Sequence, residues 1–253
     1  MSARAHTVAS YAIAVAIVLV AWQVASTAFD VPVLFPSPLA AARKGIALIR
    51  EGRLQADIAI SLWRILTGFV VGSVLGAALG LLMGSSRIVA DMLAPYVNFL
   101  RFVASIAWIP AVMLWFGIGE ASKIMLIVYT TTFVVLLNTM AGVVNVHPTK
   151  IRAARCFGAS PAQIFIWVTL PATLGYILTG MRLAMTNSFM TVVSAEMVAA
   201  ESGIGFLIFN SRQWMETDAI FVGMFTLGVL GLLTDRLMQA LIRTFLWRFR
   251  APA

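Results

Sequence analysis

One polar segment of the chain, residues 145–171, carries the side chains best placed to contact a partner. Lys150, Arg152 and Arg155 lie close together in it, and the segment contains no Asp or Glu. Almost all of the remaining chain is apolar, so a patterned basic loop predicts a surface presented to a partner in the cytoplasm. The alternative is a solvated loop whose cations serve only to orient the chain in a membrane.

The residues needed for nucleotide, metal or covalent chemistry do not come together in the sequence. No Gly-x-x-x-x-Gly-Lys-Ser/Thr loop occurs to hold ATP phosphates. His6 and His147 stand far apart and Cys156 is the single cysteine, so neither a metal-ligand set nor an intrachain disulfide is expected. No nucleophile–base pair is evident either. We therefore predict that the chain is not an enzyme, binds no cofactor or metal, and takes energy from another chain or an ion gradient.

The composition is typical of a membrane protein. Of 253 residues, 61% are hydrophobic and 11% are charged, and the mean hydropathy is +0.95; a soluble domain has about 25% charged residues. Apolar runs of about 20 residues recur, each long enough to cross a bilayer as a helix, whereas barrel strands would show short alternating segments. We predict an all-α membrane protein with six transmembrane helices, at residues 9–29, 58–84, 92–116, 124–144, 172–200 and 219–242.

The net charge of +8 is scattered over short loops and the C-terminal end. Such a distribution favours contacts with anionic lipid and orientation signals over nucleic acid. Most of the basic residues predicted to face outward belong to one segment, residues 43–53, and the larger group faces inward. The positive-inside rule therefore predicts that both termini of this multi-pass protein are cytoplasmic. The inward group is Arg4, Arg87, Lys150, Arg152, Arg155, Arg236, Arg243, Arg248 and Arg250.

A helix at the membrane interface is predicted after the first span. Prolines in residues 30–38 prevent a helix there, and Ser37 followed by Pro38 is a helix start, with a capping hydroxyl and proline at the first helical position. The segment that follows alternates basic and apolar residues, a pattern typical of an interfacial helix. These residues are Leu39, Arg43, Lys44, Ile46, Ile49, Arg50 and Arg53.

The basic loop has the local signals of two short helices. Thr149 is predicted to cap a helix over residues 150–157, and Gly158 supplies the permissive backbone that ends it. Ser160, with Pro161 and Gln163, predicts a second capped helix, and Pro171 predicts a break before the fifth span. The expected result is a helix–turn–helix across the cytoplasmic face, slim enough at its alanines to enter a groove.

The same loop resembles the signature of binding-protein-dependent ABC importer permeases. Arg152-Ala-Ala-x-x-x-Gly158 followed by Val168-Thr-Leu-Pro171 is similar to the family pattern Glu-Ala-Ala-x-x-x-Gly … Ile-x-Leu-Pro. Arg152 stands where the signature has Glu, and Val168 where it has Ile. The resemblance assigns contact with an ATPase to Lys150, Arg152, Ala153, Ala154, Arg155, Gly158, Ala159, Ser160, Leu170 and Pro171.

Further motifs resemble the sulfonate, taurine and nitrate branch of that family. They are Leu34-Phe-Pro-Ser-Pro38, Ser61-Leu-Trp-Arg64, Leu114-Trp-Phe-Gly-Ile-Gly-Glu120, Ala195-Glu-Met197 and Ser202-Gly-Ile-Gly205.

The resemblance implies a type I importer fold and a homodimer of permeases in the bacterial cytoplasmic (inner) membrane. It also implies two copies of a cytoplasmic ATPase that bind the ATP, and a periplasmic or lipid-anchored substrate-binding protein. Residues 1–57 then form the first transmembrane helix plus a periplasmic interfacial helix. Residues 58–253 form the core permease domain, with the cytoplasmic coupling loop at 145–171. The implied function is alternating access for a small anion.

Other functions stay open from the sequence. Related permeases serve other nutrients, such as a thiamine precursor, riboflavin or an aromatic acid. A stand-alone secondary transporter would show inverted repeats and paired charges at mid-membrane, and neither is clear. A non-transporting scaffold for membrane assembly is the third alternative.

A stripe of small residues runs along the second span. Glycine at every fourth position leaves bare backbone near one helix face, which allows another helix to approach closely. Ordinary intramolecular packing is the favoured interpretation, and a surface that slides during transport is the alternative. The stripe consists of Gly68, Gly72, Gly76, Gly80 and Gly84.

Four side chains are candidates for lining the translocation path. Glu196 is an acid in the fifth span, where it must face water or a partner. It lines the path, lies wetted near the outer end, or pairs with Arg101 or Arg182 of the same or the facing subunit. Arg182 either binds an anion or extends to the interface. Trp108 and Pro110 interrupt the third span and form either a gate or core packing. Outside the membrane, the segment 212–214 is a candidate contact for the binding protein.

Overall fold

The computed structural model describes residues 3–29 and 34–246, which form helices and turns without any strand. The predicted all-α class is confirmed for these residues. The predicted interruption at residues 30–33 and the cations Arg248 and Arg250 lie outside them. The helices are α1 Ala3–Phe29, α2 Pro38–Arg50, α3 Arg53–Ser85, α4 Arg87–Leu100, α5 Ile109–Phe116, α6 Glu120–Val144, α7 Pro148–Cys156, α8 Pro161–Ile164, α9 Leu170–Ala199, α10 Ile204–Gln213 and α11 Thr217–Leu246.

Four helical stretches among the described residues are long and apolar enough to cross a membrane: Arg53–Ser85, Glu120–Val144, Pro161–Val198 and Thr217–Thr244. A fifth span is added if α4 and the bent segment after it are counted together. The described part of α1 that qualifies as apolar, Ala16–Ala28, is shorter. The protein is therefore a multi-pass membrane protein, while the count of six spans stays a prediction.

The third predicted span is broken rather than straight. Arg87–Leu100 and Ser105–Phe116 are inclined by 88° to one another. The hydroxyl of Tyr129 lies 2.6 Å from the carbonyl oxygen of Leu100 and 3.1 Å from that of Val103, so α6 holds the chain at the bend. Pro110 sits in the first turn of α5, where a backbone N–H is not needed. An interruption of this span was predicted at Trp108 and Pro110, but the break lies earlier, between Leu100 and Ser105.

Helices α3, α6 and α9 form the centre of the molecule. Helices α3 and α6 run parallel, because Gly68 lies against Ile127 and Gly84 against Val143. Helix α9 runs antiparallel to α6, with Ser188 of α9 beside Thr131. The buried cluster between the three helices is Ile65, Phe69, Ile127, Val135, Ala184, Met185, Phe189 and Val192.

The glycine stripe of α3 is what lets α6 approach so closely. A Cβ atom added at any of Gly68, Gly72, Gly76, Gly80 or Gly84 would come within 2.5–2.7 Å of an atom of α6. Real Cβ atoms do not tolerate such distances, so a side chain at these positions would push the helices apart. In this structure the stripe is an intramolecular contact.

Helix α2 packs against α11 and α3. Ser37 accepts a hydrogen bond from the backbone N–H of Ala40, as its capping role predicts. Leu48 is buried with Leu54, Leu207, Ala219 and Val222, whereas Leu39, Ile46 and Ile49 are exposed. Lys44 forms an ion pair with Glu216 at 2.9 Å, and this hydrogen bond raises the pKa of Lys44.

Candidate functional site

The basic loop forms helix α7, Pro148–Cys156, which begins two residues earlier than predicted. The side chain of His147, not Thr149, is the cap: it accepts from the backbone N–H of Thr149 at 3.3 Å. Pro148 occupies the first helical position, where its missing N–H costs nothing. Gly158 then ends the helix with φ +78°, in the left-handed region that glycine adopts most easily.

The second predicted helix is capped as expected but is not a separate element. Ser160 and Gln163 form the capping box, with reciprocal hydrogen bonds of 3.3 and 2.8 Å. Helix α8 then continues through a π turn, Phe165–Thr169, directly into α9. Pro171 lies within this continuous helix, so the predicted break before the fifth span was wrong. A wide turn just before a proline rearranges the carbonyls that its ring would otherwise meet.

Helix α7 and the residues after it form a surface that is left uncovered. Lys150, Arg152 and Arg155 are exposed, and no carboxylate in the described part of the chain forms an ion pair with them. Phe157 is 91% exposed and Trp167 is 77% exposed. Between them lies a hollow of about 450 Å³, lined by Ala154, Phe157, Gly158, Ala159, Gln163, Ile164, Trp167 and Val168. We call α7 together with this hollow the α7 surface.

A second charged cluster lies at the other end of the bundle and is buried. The side chains of Glu196 in α9 and Arg64 in α3 are inaccessible to solvent, and their charged atoms are 2.7 Å apart. Glu196 also accepts hydrogen bonds from the hydroxyl of Ser61 at 2.8 Å and from the backbone N–H of Gly205 at 2.8 Å. The carboxylate therefore has partners on two other helices, α3 and α10.

Arg64 connects this carboxylate to further elements. Its guanidinium forms a two-point contact with Glu120 of α6 at 2.6 and 2.7 Å and donates to the backbone carbonyl of Ser202 at 2.8 Å. Lys123 contacts the same Glu120 at 3.1 Å. Asp57 accepts from the backbone N–H of Gly203 at 2.8 Å. This Arg64 network thereby joins α3, the first turn of α6, the end of α9 and the start of α10.

The predicted partner of Glu196 was wrong. Its ion pair is with Arg64 rather than with Arg101 or Arg182, and Glu196 is buried rather than wetted. Arg101 lies at the break after α4, exposed, with its guanidinium 4.8 Å from the ring centre of Phe102. The signal for the true pair was in the sequence, because an arginine inside the second predicted span also requires a partner.

Arg182 pairs with α11 instead. Its Nε lies 2.6 Å from Oδ1 of Asp235 and its Nη2 lies 3.1 Å from Oδ2, and Gln239 donates to the same carboxylate at 2.7 Å. The pair sits on the wall of a cavity of about 690 Å³ between α9 and α11. The cavity is lined by Arg182, Met185, Thr186, Phe189, Met190, Val193, Leu227, Gly228, Gly231, Leu232, Thr234, Asp235 and Met238.

Trp108 lies neither in the Arg64 network nor in the cavity between α9 and α11. It sits in a short 3₁₀ turn, Ser105–Trp108, with its ring centre 5.9 Å from that of Tyr129 and 6.2 Å from that of Trp115. These contacts are aromatic packing at the bend of the third span. The four predicted path residues, Glu196, Arg182, Trp108 and Arg101, therefore do not form one site.

The fold and the α7 surface together define a class: a multi-pass helical membrane protein that presents a basic helix between two of its central spans. The chain belongs to the family of binding-protein-dependent transport system inner membrane components, whose family model matches residues 68–246. The predicted family of ABC importer permeases is thereby confirmed.

Curated relatives place the chain in the predicted branch. A putative aliphatic sulfonates transport permease of Escherichia coli is 38% identical over 94% of this chain and 91% of its own length. The taurine transport system permease of the same organism is 33% identical over 88% of this chain and 82% of its own length. A nitrate import permease of Synechocystis is 31% identical over 91% of this chain and 86% of its own length.

Solved structures share the fold. A chain of the methionine ABC transporter MetNI in an inward-facing conformation superposes with a TM-score of 0.61, at 18% identity, over 76% of this chain and 97% of its own length. A chain of an amino acid ABC transporter with histidines also has a TM-score of 0.61, at 14% identity, over 80% and 97%.

Proposed function

We propose that this chain is the permease subunit of an ABC importer and forms, with a second copy, the path for a small anion of the sulfonate, taurine or nitrate class. The observation that carries the proposal is the α7 surface. Its basic side chains have no partner in the described chain, and two large aromatic side chains beside them are exposed. Exposed aromatic and basic residues around a hollow are typical of a docking surface.

The way in which α7 is attached supports a mechanical role. Only residues 145–147 separate it from α6, and residues 157–160 separate it from the continuous helix Pro161–Val198. A rigid helix of that length transmits a displacement at one end to the other. Because Glu196 lies near the far end of that helix, movement of α7 reaches the Arg64 network. Alternating access driven by a separate ATPase uses a lever of this kind.

The remaining features of the assembly follow from this proposal. Helix α1 is the first of six spans, and the bent α4–α5 pair is the third. Both termini therefore lie on the same side as α7, in the bacterial cytoplasm. The protein resides in the inner membrane. ATP binds to two copies of a partner subunit, and a binding protein delivers substrate to the opposite face, where α10 lies. The relatives named for taurine, aliphatic sulfonates and nitrate support a small anionic substrate.

Two glycines with the same backbone conformation provide a matched test. Gly158 beside α7 has φ +78°, and Gly52 between α2 and α3 has φ +75°; neither has an atom within 4 Å of an added Cβ. Valine at either position carries a similar strain of about 1–2 kcal/mol. Gly158→Val should abolish uptake while ATP hydrolysis continues, whereas Gly52→Val should preserve coupled uptake. Both are measured as uptake of butanesulfonate, taurine and nitrate and as ATP hydrolysis in cells and membranes that contain the whole transporter.

Three results are informative. Loss of coupling in Gly158→Val alone supports the docking of an ATPase on α7. Equal loss in both variants assigns the effect to backbone strain and contradicts the docking proposal. Coupled uptake in Gly158→Val also contradicts it, as does the absence of an ATPase subunit from the wild-type complex purified through a tag on this chain.

A further inference from the structure

The ion pair between Arg182 and Asp235 is unusual because it lies within two candidate spans and is still accessible. Their side chains are 45% and 32% exposed, in the helices Pro161–Val198 and Thr217–Thr244. Charged side chains inside a membrane avoid lipid and face water or another protein. The cavity between α9 and α11 is therefore on the side of the subunit that is shielded from lipid in the assembled transporter.

The geometry of the pair leaves part of the guanidinium free. Asp235 accepts from Nε and Nη2 of Arg182, and Gln239 donates to Oδ2 of the same carboxylate. Nη1 of Arg182 has no hydrogen-bond partner among the described residues. Arginine has five N–H donors in a fixed plane, so a carboxylate on one edge orients the remaining donors toward a second anion. Asp235 thus acts as a positioning residue for Arg182.

The rest of the cavity wall is mostly apolar. Met185 and Phe189 of α9 and Leu227 and Met238 of α11 contribute to it. The one further exposed hydroxyl is that of Thr186, which lies on the same face of α9 as Arg182 and one turn away. A volume of about 690 Å³ is within the range of small-molecule sites, about 300–1,000 Å³. A cationic end and apolar walls suit an anionic head group that carries a hydrocarbon tail.

We propose that this cavity is a substrate subsite for an aliphatic sulfonate monoanion, whose sulfonate binds Arg182 and Thr186 and whose tail lies along the methionine and phenylalanine side chains. This inference rests on the proposed function and makes it more specific. The ammonium group of an aminosulfonate would find only Asp235 as an anionic partner, and Asp235 is already paired with Arg182. Nitrate has no hydrocarbon tail to bury against the apolar wall. The cavity therefore selects an alkanesulfonate over both.

The test is direct binding of butanesulfonate to the whole permease–ATPase complex in lipid nanodiscs, without the binding protein, by isothermal titration calorimetry. The double variant Arg182→Met/Asp235→Leu removes both charges together, so neither is left unpaired. Loss of a charged hydrogen-bonding group should weaken binding by about 10-fold or more. Arg182→Lys keeps the charge but loses the planar donors, so its affinity for butanesulfonate should lie between those of the wild type and the double variant. The matched control is the exposed ion pair on α4, Arg87→Gln/Asp91→Asn, which should bind as the wild type does.

Each outcome has a defined consequence. Weaker butanesulfonate binding in the double variant, with wild-type binding that prefers butanesulfonate over taurine and nitrate, supports the subsite. Unchanged binding in the double variant, or no binding by the wild type, overturns the subsite and leaves the proposed function intact if the complex still imports an anion at the expense of ATP. Equal or tighter wild-type binding of taurine or nitrate overturns the substrate class. A tagged wild-type chain that brings down no ATPase refutes the proposed function itself.

Discussion

The Arg64 network and the α7 surface differ in burial and in how completely their charges are paired. In the Arg64 network, the side chains of Arg64 and Glu196 are completely buried, and each meets partners on several helices. On the α7 surface, Lys150, Arg152 and Arg155 are exposed and have no ion-pair partner within residues 3–29 and 34–246.

This difference indicates different roles for the two clusters. A buried ion is tolerated only when its pairing is nearly complete, so the Arg64 network holds helices in a fixed arrangement. An exposed cation without a partner contributes little to folding, so the α7 cations are available to another molecule. Both clusters touch the continuous helix that contains α9, one near each end. That helix therefore links a fixed end to an end that is open to a partner.

Breaking the buried cluster should have the largest effect on stability. Arg64→Met leaves the buried Glu196 without its cation and leaves Glu120 with Lys123 alone, and it should lower the free energy of unfolding by about 3–5 kcal/mol. The measurement is denaturant unfolding in detergent micelles, followed by tryptophan fluorescence. Glu196→Gln is the milder comparison, since Arg64 keeps Glu120 and the amide keeps an acceptor for Ser61; a loss of about 1–3 kcal/mol is expected. If Arg64→Met were as stable as the wild type, the Arg64 network would not differ from the α7 surface in its contribution to stability.

Full uptake by Glu196→Gln is also expected, because the network is buried away from the α9–α11 cavity. Transport that is lost in Glu196→Gln at wild-type stability would instead place this carboxylate in the translocation path.

An intermediate effect on stability is expected at the close contact between α3 and α6. Gly76→Leu inserts a side chain whose Cβ would lie 2.6 Å from the backbone carbonyl oxygen of Thr132, and backbone cannot move aside easily. The expected loss in unfolding free energy is about 1–3 kcal/mol. Gly175→Ala in α9 is the matched control, since nothing lies within 4 Å of its added Cβ, and it should be neutral or stabilise by about 0.5–1 kcal/mol. A harmless Gly76→Leu would show that α3 and α6 are not held at this distance.

The smallest effect on stability is expected at the α7 surface. The triple change Lys150→Gln, Arg152→Gln and Arg155→Gln should alter the unfolding free energy by no more than about 0.5 kcal/mol. It should nevertheless weaken recovery of the ATPase in pull-downs and reduce the sensitivity of that recovery to salt, because screened charge pairs are lost. A drop in stability comparable to that of Arg64→Met would instead show that the α7 cations are structural and would erase the contrast between the two clusters.

Features that depend on local spacing were predictable from the sequence. The capping box of Ser160 and Gln163, the helix end at Gly158 and the start of α2 at Ser37 all depend on residues within one or two turns. The choice of His147 over Thr149 as cap was missed because Pro148 takes the first helical position, which puts the cap directly before it. A bend in the third span was predicted at Trp108 and Pro110; its true position after α4 was missed because it depends on Tyr129, a residue of another helix.

By itself, the sequence determined that the chain crosses a membrane as helices, which family it belongs to, and where the exposed basic helix begins and ends within a residue or two. Hydropathy, caps and glycine spacing are properties of neighbouring residues. Only the tertiary structure decided that Glu196 pairs with Arg64, 132 residues away, and that Arg182 pairs with Asp235. Such pairs depend on how each helix is rotated and how far it slides along its neighbour. The close contact between α3 and α6 along the glycine stripe sets that register.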